Sequence, residues 1–437
     1  MENIERRSKR YAWLVCILTC FIYICGIGFL SNGSFGPYLI SDGGLTNTQN
    51  SLLVSIRSIL SMIATATCAM FYKKISLRVG VSLGMIVGGI GWAFYAMAPN
   101  FGTYVCGAVL FGIVHGLAAN VPAAMIVNNW FETKRNLVFG ITTASSGFLS
   151  VILPPIVKYL VETFSLRTCF FVVCAVFLIV GVLTFIILRD RPADLGLHAY
   201  GYGMKDTGTK KISSGAPIGT YAPSKLHFWI LQLVYLNIGI QLYSTWSHVS
   251  VLHAASGFDS ASFATLLSIA GFALMAGKII FGQITDRTNA ELTFYIFCPL
   301  QAVGCILNAY ASDSQNFTLA VVACLLEGGA GVISTVGLSS VATELYKGSN
   351  AFTKAVVWFT TFYNVGHTIS APVFGMIADA VGTYSPAFYG AGVIGFINVI
   401  LMAIVFRGSA KRAQRLKADG KEPIGVGVGF VSSLDGD

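Results

Sequence analysis

Apolar runs of about twenty residues recur twelve times along this chain, each long enough to cross a hydrocarbon layer as an α-helix. They lie at 11–33, 48–70, 79–98, 102–128, 137–161, 167–188, 226–250, 260–282, 291–311, 317–342, 354–379 and 385–406. Short connections force neighbouring helices to run antiparallel. One long interval breaks the rhythm. From Arg189 to Lys225 the chain carries Arg189, Arg191, Lys205, Lys210, Lys211 and Lys225 against Asp190, Asp194 and Asp206, with Gly, Ser, Thr and Pro between them. Six runs precede it and six follow. The pattern predicts an all-α membrane protein of twelve transmembrane helices in two pseudo-symmetric six-helix bundles. Residues 1–188 form the N-terminal bundle, 189–225 a cytoplasmic linker without helical periodicity, and 226–406 the C-terminal bundle. Residues 407–437 form a cytoplasmic tail, basic and then Gly-rich, expected to be disordered.

Composition sharpens this reading. Only 11% of the 437 residues are charged and 55% are hydrophobic, so most of the outer surface must meet lipid. The net charge of +9 is topological rather than a sign of nucleic-acid binding. With the N-terminus inside, every Lys and Arg except Arg57, Lys158 and Arg167 falls at the N-terminus, the linker, the tail or alternate loops and their edges. That positive-inside bias puts both termini in the cytoplasm. The ten cysteines all lie in apolar runs without ligand spacing, and read as small membrane-buried hydrophobes rather than disulfides or metal ligands. The first run is too long for an ordinary signal core and reads as a retained helix. Two glycosylation sequons, at Asn32 and Asn316, hug the membrane and read as unused. Compact loops point to a cell inner membrane, and nothing in the chain marks an oligomer, so a monomer is expected.

The halves share positions. Thr142-Thr143 and Pro154 recur as Thr360-Thr361 and Pro372, Phe170 recurs as Phe388, and Asn100-Phe101 recurs as Asn316-Phe317. A duplicated six-helix unit is thereby expected, with a substrate site at the midplane between halves.

The segment Asn129-Trp130-Phe131-Glu132-Thr133-Lys134-Arg135, followed by Gly140 and Gly147, looks like a family signature. It resembles the loop between helices four and five of the oxalate/formate antiporter and monocarboxylate transporter branch of the major facilitator superfamily. Arg167-Thr168-Cys169-Phe170 resembles the motif that opens helix six there. Gly282-Gln283-Ile284-Thr285-Asp286-Arg287 resembles the loop between helices eight and nine. The corresponding loop after helix two, Met70-Phe71-Tyr72-Lys73-Lys74, has neither the Gly nor the Asp. The resemblance implies gating loops at Asp286, Arg287, Lys134 and Arg135. It also puts Lys278 where the resembling families carry a helix-eight arginine that meets an anion, and Asn364 near the place of a helix-eleven lysine.

Metal spacing, a nucleophile triad and a phosphate loop are all missing, so the chain reads as a non-enzyme without cofactors. Candidate chemistry therefore rests on ionisable and polar groups inside the spans, which are costly there. Arg57 lies about ten residues into span two, roughly 15 Å deep. With Ser61, Thr65 and Cys68 it forms a polar stripe. Its fork suits a carboxylate, and the competing reading is a structural pair. Lys278 either meets the substrate or snorkels to the interface. Asn237, Gln241, Ser244 and His248 share one face of span seven. Thr360, Tyr363, Asn364, His367 and Ser370 share one face of span eleven. Each face lines a pathway or bonds a neighbouring helix. Tyr23 and Tyr235 are cavity aromatics or packing residues. Glu327 and His115 are proton-carrier candidates, or structural hydrogen-bond partners at Gly-rich crossings.

These observations predict a secondary active transporter working by alternating access. Its expected partners are the bilayer, a small organic anion of the monocarboxylate class, and a proton or counter-anion. The substrate-binding set is Arg57, Lys278, Tyr23, Asn237, Gln241, Asn364 and His367, and the proton-coupling set is Glu327 and His115. The alternatives are a proton-driven exporter of amphipathic compounds and, from another class, a non-transporting membrane sensor.

Overall fold

The computed structural model describes residues 2–29, 33–202, 219–346 and 352–420. Lys205, Asp206, Lys210 and Lys211 of the linker lie outside these, as do Asn32, Lys347, the tail from Lys421 and the side chain of Ser244. Among the described residues the structure is helical apart from turns and one isolated parallel bridge, Phe131 to Tyr200.

Among the described residues eleven helices are long and apolar enough to cross a membrane. The twelfth, Phe352–Val381, has the length at 30 residues. Its polar positions, among them Thr360, Asn364, His367 and Ser370, dilute its hydropathy. Large apolar side chains such as Val172, Ile179, Val182 and Ile186 are exposed along one helix, as a lipid-facing surface requires.

The chain divides into two compact units, Met1–Lys211 with Asp259–Gly271, and Ile212–Phe258 with Phe272–Asp437. The first unit contains α1 (Glu2–Tyr23), which passes into a π-helical turn at Ile24–Gly28, then α2 (Asn47–Lys74) and α3 (Leu77–Ala96). Its fourth span is broken into α4 (Phe101–Ala118) and α5 (Asn120–Trp130) at Ala119, whose φ and ψ are −101° and −135°. α6 (Arg135–Thr163) and α7 (Leu166–Ile187) complete it.

The second unit repeats this plan. α8 (Lys225–Ile238), a π-helical turn at Gly239–Tyr243 and α9 (Ser244–Ala255) form one span. α10 (Ser260–Arg287) begins within the first unit and ends in the second. α11 (Ala290–Asp313) follows. The tenth span is broken, into α12 (Phe317–Ala330), a 3₁₀ turn at Gly331–Ser334 and α13 (Val336–Tyr346). α14 (Phe352–Val381) and α15 (Ser385–Ala418) end the fold.

Span starts carry the residues that helix ends need. The side chains of Thr46, Ser76, Asn100, Ser165, Ser224, Asn289 and Asn316 each accept a backbone N–H of the first helical turn. Those amides would otherwise be orphaned near the lipid boundary. Asn100 and Asn316, matched in the sequence, do the same work for α4 and α12.

One expectation is corrected. The tail does not become irregular at Arg407, because α15 continues to Ala418 with Ser409 and Ala413 buried. Arg412 donates to the carbonyls of Ala222 (2.9 Å) and Pro223 (3.0 Å), so tertiary contacts hold this polar stretch helical. The linker ends are also held. Pro192–Leu195 forms a 3₁₀ turn, and the Glu132 amide donates to Tyr200 O (2.9 Å). Tyr221 donates to Glu291 Oε2 at 2.7 Å. Cys106 is exposed on the surface of the fourth span, within its apolar run.

Candidate functional site

In the first unit, the broken first and fourth spans cross at their breaks. A Cβ on Gly26 would lie 2.5 Å from Ala118 O, so only glycine permits this approach. One helical turn earlier, buried Tyr23 donates to Asn120 Oδ1 at 2.7 Å. His115 is half-buried, with the Gly26 backbone beside it. Arg57, also half-buried, lies within electrostatic reach of His115 and Tyr95. The stripe drawn from Arg57 does not stay on one environment: Thr65 is exposed, whereas Cys68 is fully buried.

The Asn129–Arg135 loop after the fourth span is held by the segment after the sixth. Asn129 Nδ2 donates to Asp190 O (2.9 Å) and Trp130 Nε1 to Arg189 O (2.9 Å). The Asp190 carboxylate accepts the amides of Leu77 (3.2 Å) and Arg78 (3.0 Å) at the start of α3. An acid at that N-terminus complements the helix dipole. It sits on the helix that follows the loop lacking an Asp, and only tertiary structure reveals it. Glu344 caps α11 in the second unit likewise, accepting the Ala290 amide. Lys134, Arg135, Asp286 and Arg287 are all exposed. Among the described residues none of these four has an ion-pair partner, and Lys158–Glu162 is a salt bridge elsewhere in the unit.

In the second unit the polar groups are sealed. Glu327, 3% exposed, accepts a hydrogen bond from Asn308 Nδ2. Asn308 Oδ1 faces His253 Nε2 at 3.1 Å, and Cys324 Sγ lies 3.6 Å from the same oxygen. The other carboxyl oxygen, Oε1, is buried and receives no hydrogen bond. Thr245 lies beside it but gives its proton to Gln241 O at 2.7 Å. Sequence reasoning missed His253 and Asn308. The available signal was Gln301, Asn308 and Ser312, seven and four apart on one face of α11, all buried.

The remaining candidates separate by burial. Gln241 is buried with its amide near Cys305 Sγ, and Asn237 donates to Asn398 Oδ1 at 3.0 Å. Tyr235 is stacked on Phe359, centroids 4.6 Å apart, inside the hydrophobic core, which is the packing role. His248 is packed between the rings of Phe374 and Tyr384. Along α14 Thr360 is exposed, Tyr363 and Asn364 are half-buried, and His367 and Ser370 are buried. Lys278 is half-buried, nine residues before the end of α10 at Arg287, about 14 Å along the axis. Among the described residues it has no carboxylate within ion-pairing distance. No group of three or more His, Cys, Asp or Glu among them is placed to hold a metal.

The family model of the Major Facilitator Superfamily matches residues 16–353. Monocarboxylate transporter 12 of Xenopus laevis is 25% identical over 93% of this chain and 90% of its own length. Monocarboxylate transporter 6 of Homo sapiens is 22% identical over 97% and 85%. Among solved structures, a nucleoside transporter aligns with TM-score 0.72 at 12% identity, over 90% of this chain and all of its own. A D-xylose-proton symporter aligns with TM-score 0.68 at 12% identity, over 91% and 98%. The chain is a multi-pass membrane protein and belongs to the major facilitator superfamily.

Proposed function

We propose that this protein is a secondary transporter that moves a small monocarboxylate across a cell membrane by alternating access, coupled to a proton or a counter-anion. One observation carries the substrate class: Lys278 is a half-buried ammonium within a membrane span, with no carboxylate paired to it among the described residues. A cation held at such depth is costly unless an anion meets it, and an incoming carboxylate is such an anion. The relatives named monocarboxylate transporters support the same class.

In this reading Lys278 receives the carboxylate and Arg57 is the cation of the first unit. Tyr23, Asn237, Gln241, Asn364 and His367 supply polar contacts. Glu327 and His115 carry the transported proton, and the loops holding Lys134, Arg135, Asp286 and Arg287 respond to opening and closing. The placement of Lys and Arg supports cytoplasmic termini, the compact loops an inner membrane, and the chain works as a monomer. The test is uptake into vesicles containing the purified protein, using labelled lactate, pyruvate and acetate with a sugar and an amphipathic cation as controls. Saturable, pH-gradient-sensitive uptake of a carboxylate supports the proposal. Transport of the cation alone, or of nothing in the panel, overturns it.

A further inference from the structure

We infer that His253 is a positioning residue for Glu327, acting through the Asn308 amide, so that the two titrate as one unit. The inference rests on the reading of Glu327 as a proton carrier and adds a residue that reading does not contain.

The hydrogen bonds dictate the arrangement. A carboxylate can only accept, so Asn308 turns its Nδ2 to Glu327, and its Oδ1 is left for His253. An amide oxygen also only accepts, so Nε2 of His253 must carry hydrogen. Nδ1 is then the basic nitrogen of a neutral ring, and it is buried without a hydrogen-bond partner. A second proton arriving there makes an imidazolium one amide away from Glu327. Protonation of Glu327 reverses what Asn308 must present: the acid now donates, and Oδ1 suits it better than Nδ2. Each group's protonation therefore changes the hydrogen bond offered to the other.

Few other charges dilute this coupling. The ionisable neighbours of Glu327 are Cys305 on α11 and Cys324 on α12. Around His253 stand Asn308, and Phe258 with ring centroids 5.1 Å away. Among the described residues no Lys, Arg or Asp ion-pairs with either group. Polar groups lead from this end of α9 to the surface. Ser256 bonds to Ser312, Ser312 donates to Leu252 O at 3.3 Å, and exposed Gln315 donates to Ser256 O at 2.8 Å.

The experiment is an infrared pH titration of the full-length purified protein in lipid nanodiscs, following the C=O stretch of protonated carboxyl groups. The Glu327 band is the one lost in Glu327→Gln. His253→Gln keeps a donor toward Asn308 but cannot become charged, and His253→Asn is the second variant if the first does not purify. Replacing His253 by Gln moves the midpoint of the Glu327 band to higher pH by about one unit, a tenfold change in proton affinity, because Gln can present either its amide oxygen or its NH2 and so lets Asn308 turn its Oδ1 to the protonated acid. Asn308→Leu should decouple the pair, so that adding His253→Gln to it produces no further movement. An unchanged midpoint in the His253 variant overturns the inference, as does the absence of any band assignable to Glu327. Because no substrate is used, a shifted midpoint without carboxylate uptake would fault the transport proposal alone.

Discussion

The two units share a skeleton and differ in what fills it. Each has a π-helical turn in its first span, Ile24–Gly28 and Gly239–Tyr243, and a break in its fourth, at Ala119 and at Gly331–Ser334. Each opens that fourth span with an Asn cap. In the polar groups of the spans the resemblance ends. The first unit offers half-buried Arg57 and His115 and exposed Asn120, whereas the second encloses Gln241, Thr245, His253, Asn308 and Glu327 at 3% exposure or less. Their aromatic clusters also sit at opposite ends. In the first, Trp92 gathers Phe35, Phe111 and Phe170 at the end away from the termini. In the second, Phe228, Tyr235, Tyr346 and Phe359 gather at the linker end. The two units break their helices in corresponding spans, the first and the fourth. The chemistry is free to diverge, because it depends on single side chains.

The largest test of that contrast is Glu327→Gln. With the enclosed acid made permanently neutral, uptake driven by a pH gradient should vanish while substrate exchange between loaded vesicles continues. Equal loss of both would assign Glu327 to structure or binding, and the functional distinction between the units would fail. Next come the cations. Lys278→Ala and Arg57→Ala should each weaken carboxylate binding by about a hundredfold, since each strips a membrane cation from an incoming anion. Lys278→Arg should bind nearly as the parent does, because charge and length are kept. Calorimetry on the purified variants reads both, and parent-like affinity in both Ala variants would remove the carboxylate assignment.

Smaller effects probe the skeleton. A Cβ on Gly304 would lie 2.7 Å from the Glu327 amide nitrogen. Gly304→Val should therefore cost about 1–3 kcal/mol of stability and disturb the enclosed network. Smallest of all, Asn100→Ala and Asn316→Ala should each cost about 1 kcal/mol. If the halves are equivalent at these caps, the two variants will lower the thermal midpoint by the same few degrees. Unequal shifts would show that the duplicated positions no longer carry equal weight.

The span count and the duplicated caps were legible because hydropathy and N-cap chemistry are local. The Asn129–Arg135 motif was legible as a signature but not as a device. Its partner is the Asp190 segment, about sixty residues later. The helical tail was missed because charge was read as disorder, while Arg412 is held by carbonyls nearly two hundred positions away. The acid Glu327 stood out as a charge in a span. His253 and Asn308 did not, since their pairing joins helices 55 residues apart in sequence.

The closing contacts of the first unit also carry a consequence for how the chain is made. Tyr11 donates to Ile187 O across 176 residues, and the Asp190 cap on α3 is made across more than a hundred. At a synthesis rate of about 5–20 residues per second, the ribosome adds the stretch between Tyr11 and Ile187 in roughly 9–35 s. Throughout that interval the first helix waits in the bilayer with its partner unmade, and the amides at the start of α3 wait for their acid. The half is therefore locked from its last-made segment backward, and a chain halted before Asp190 has its spans but not its fastening.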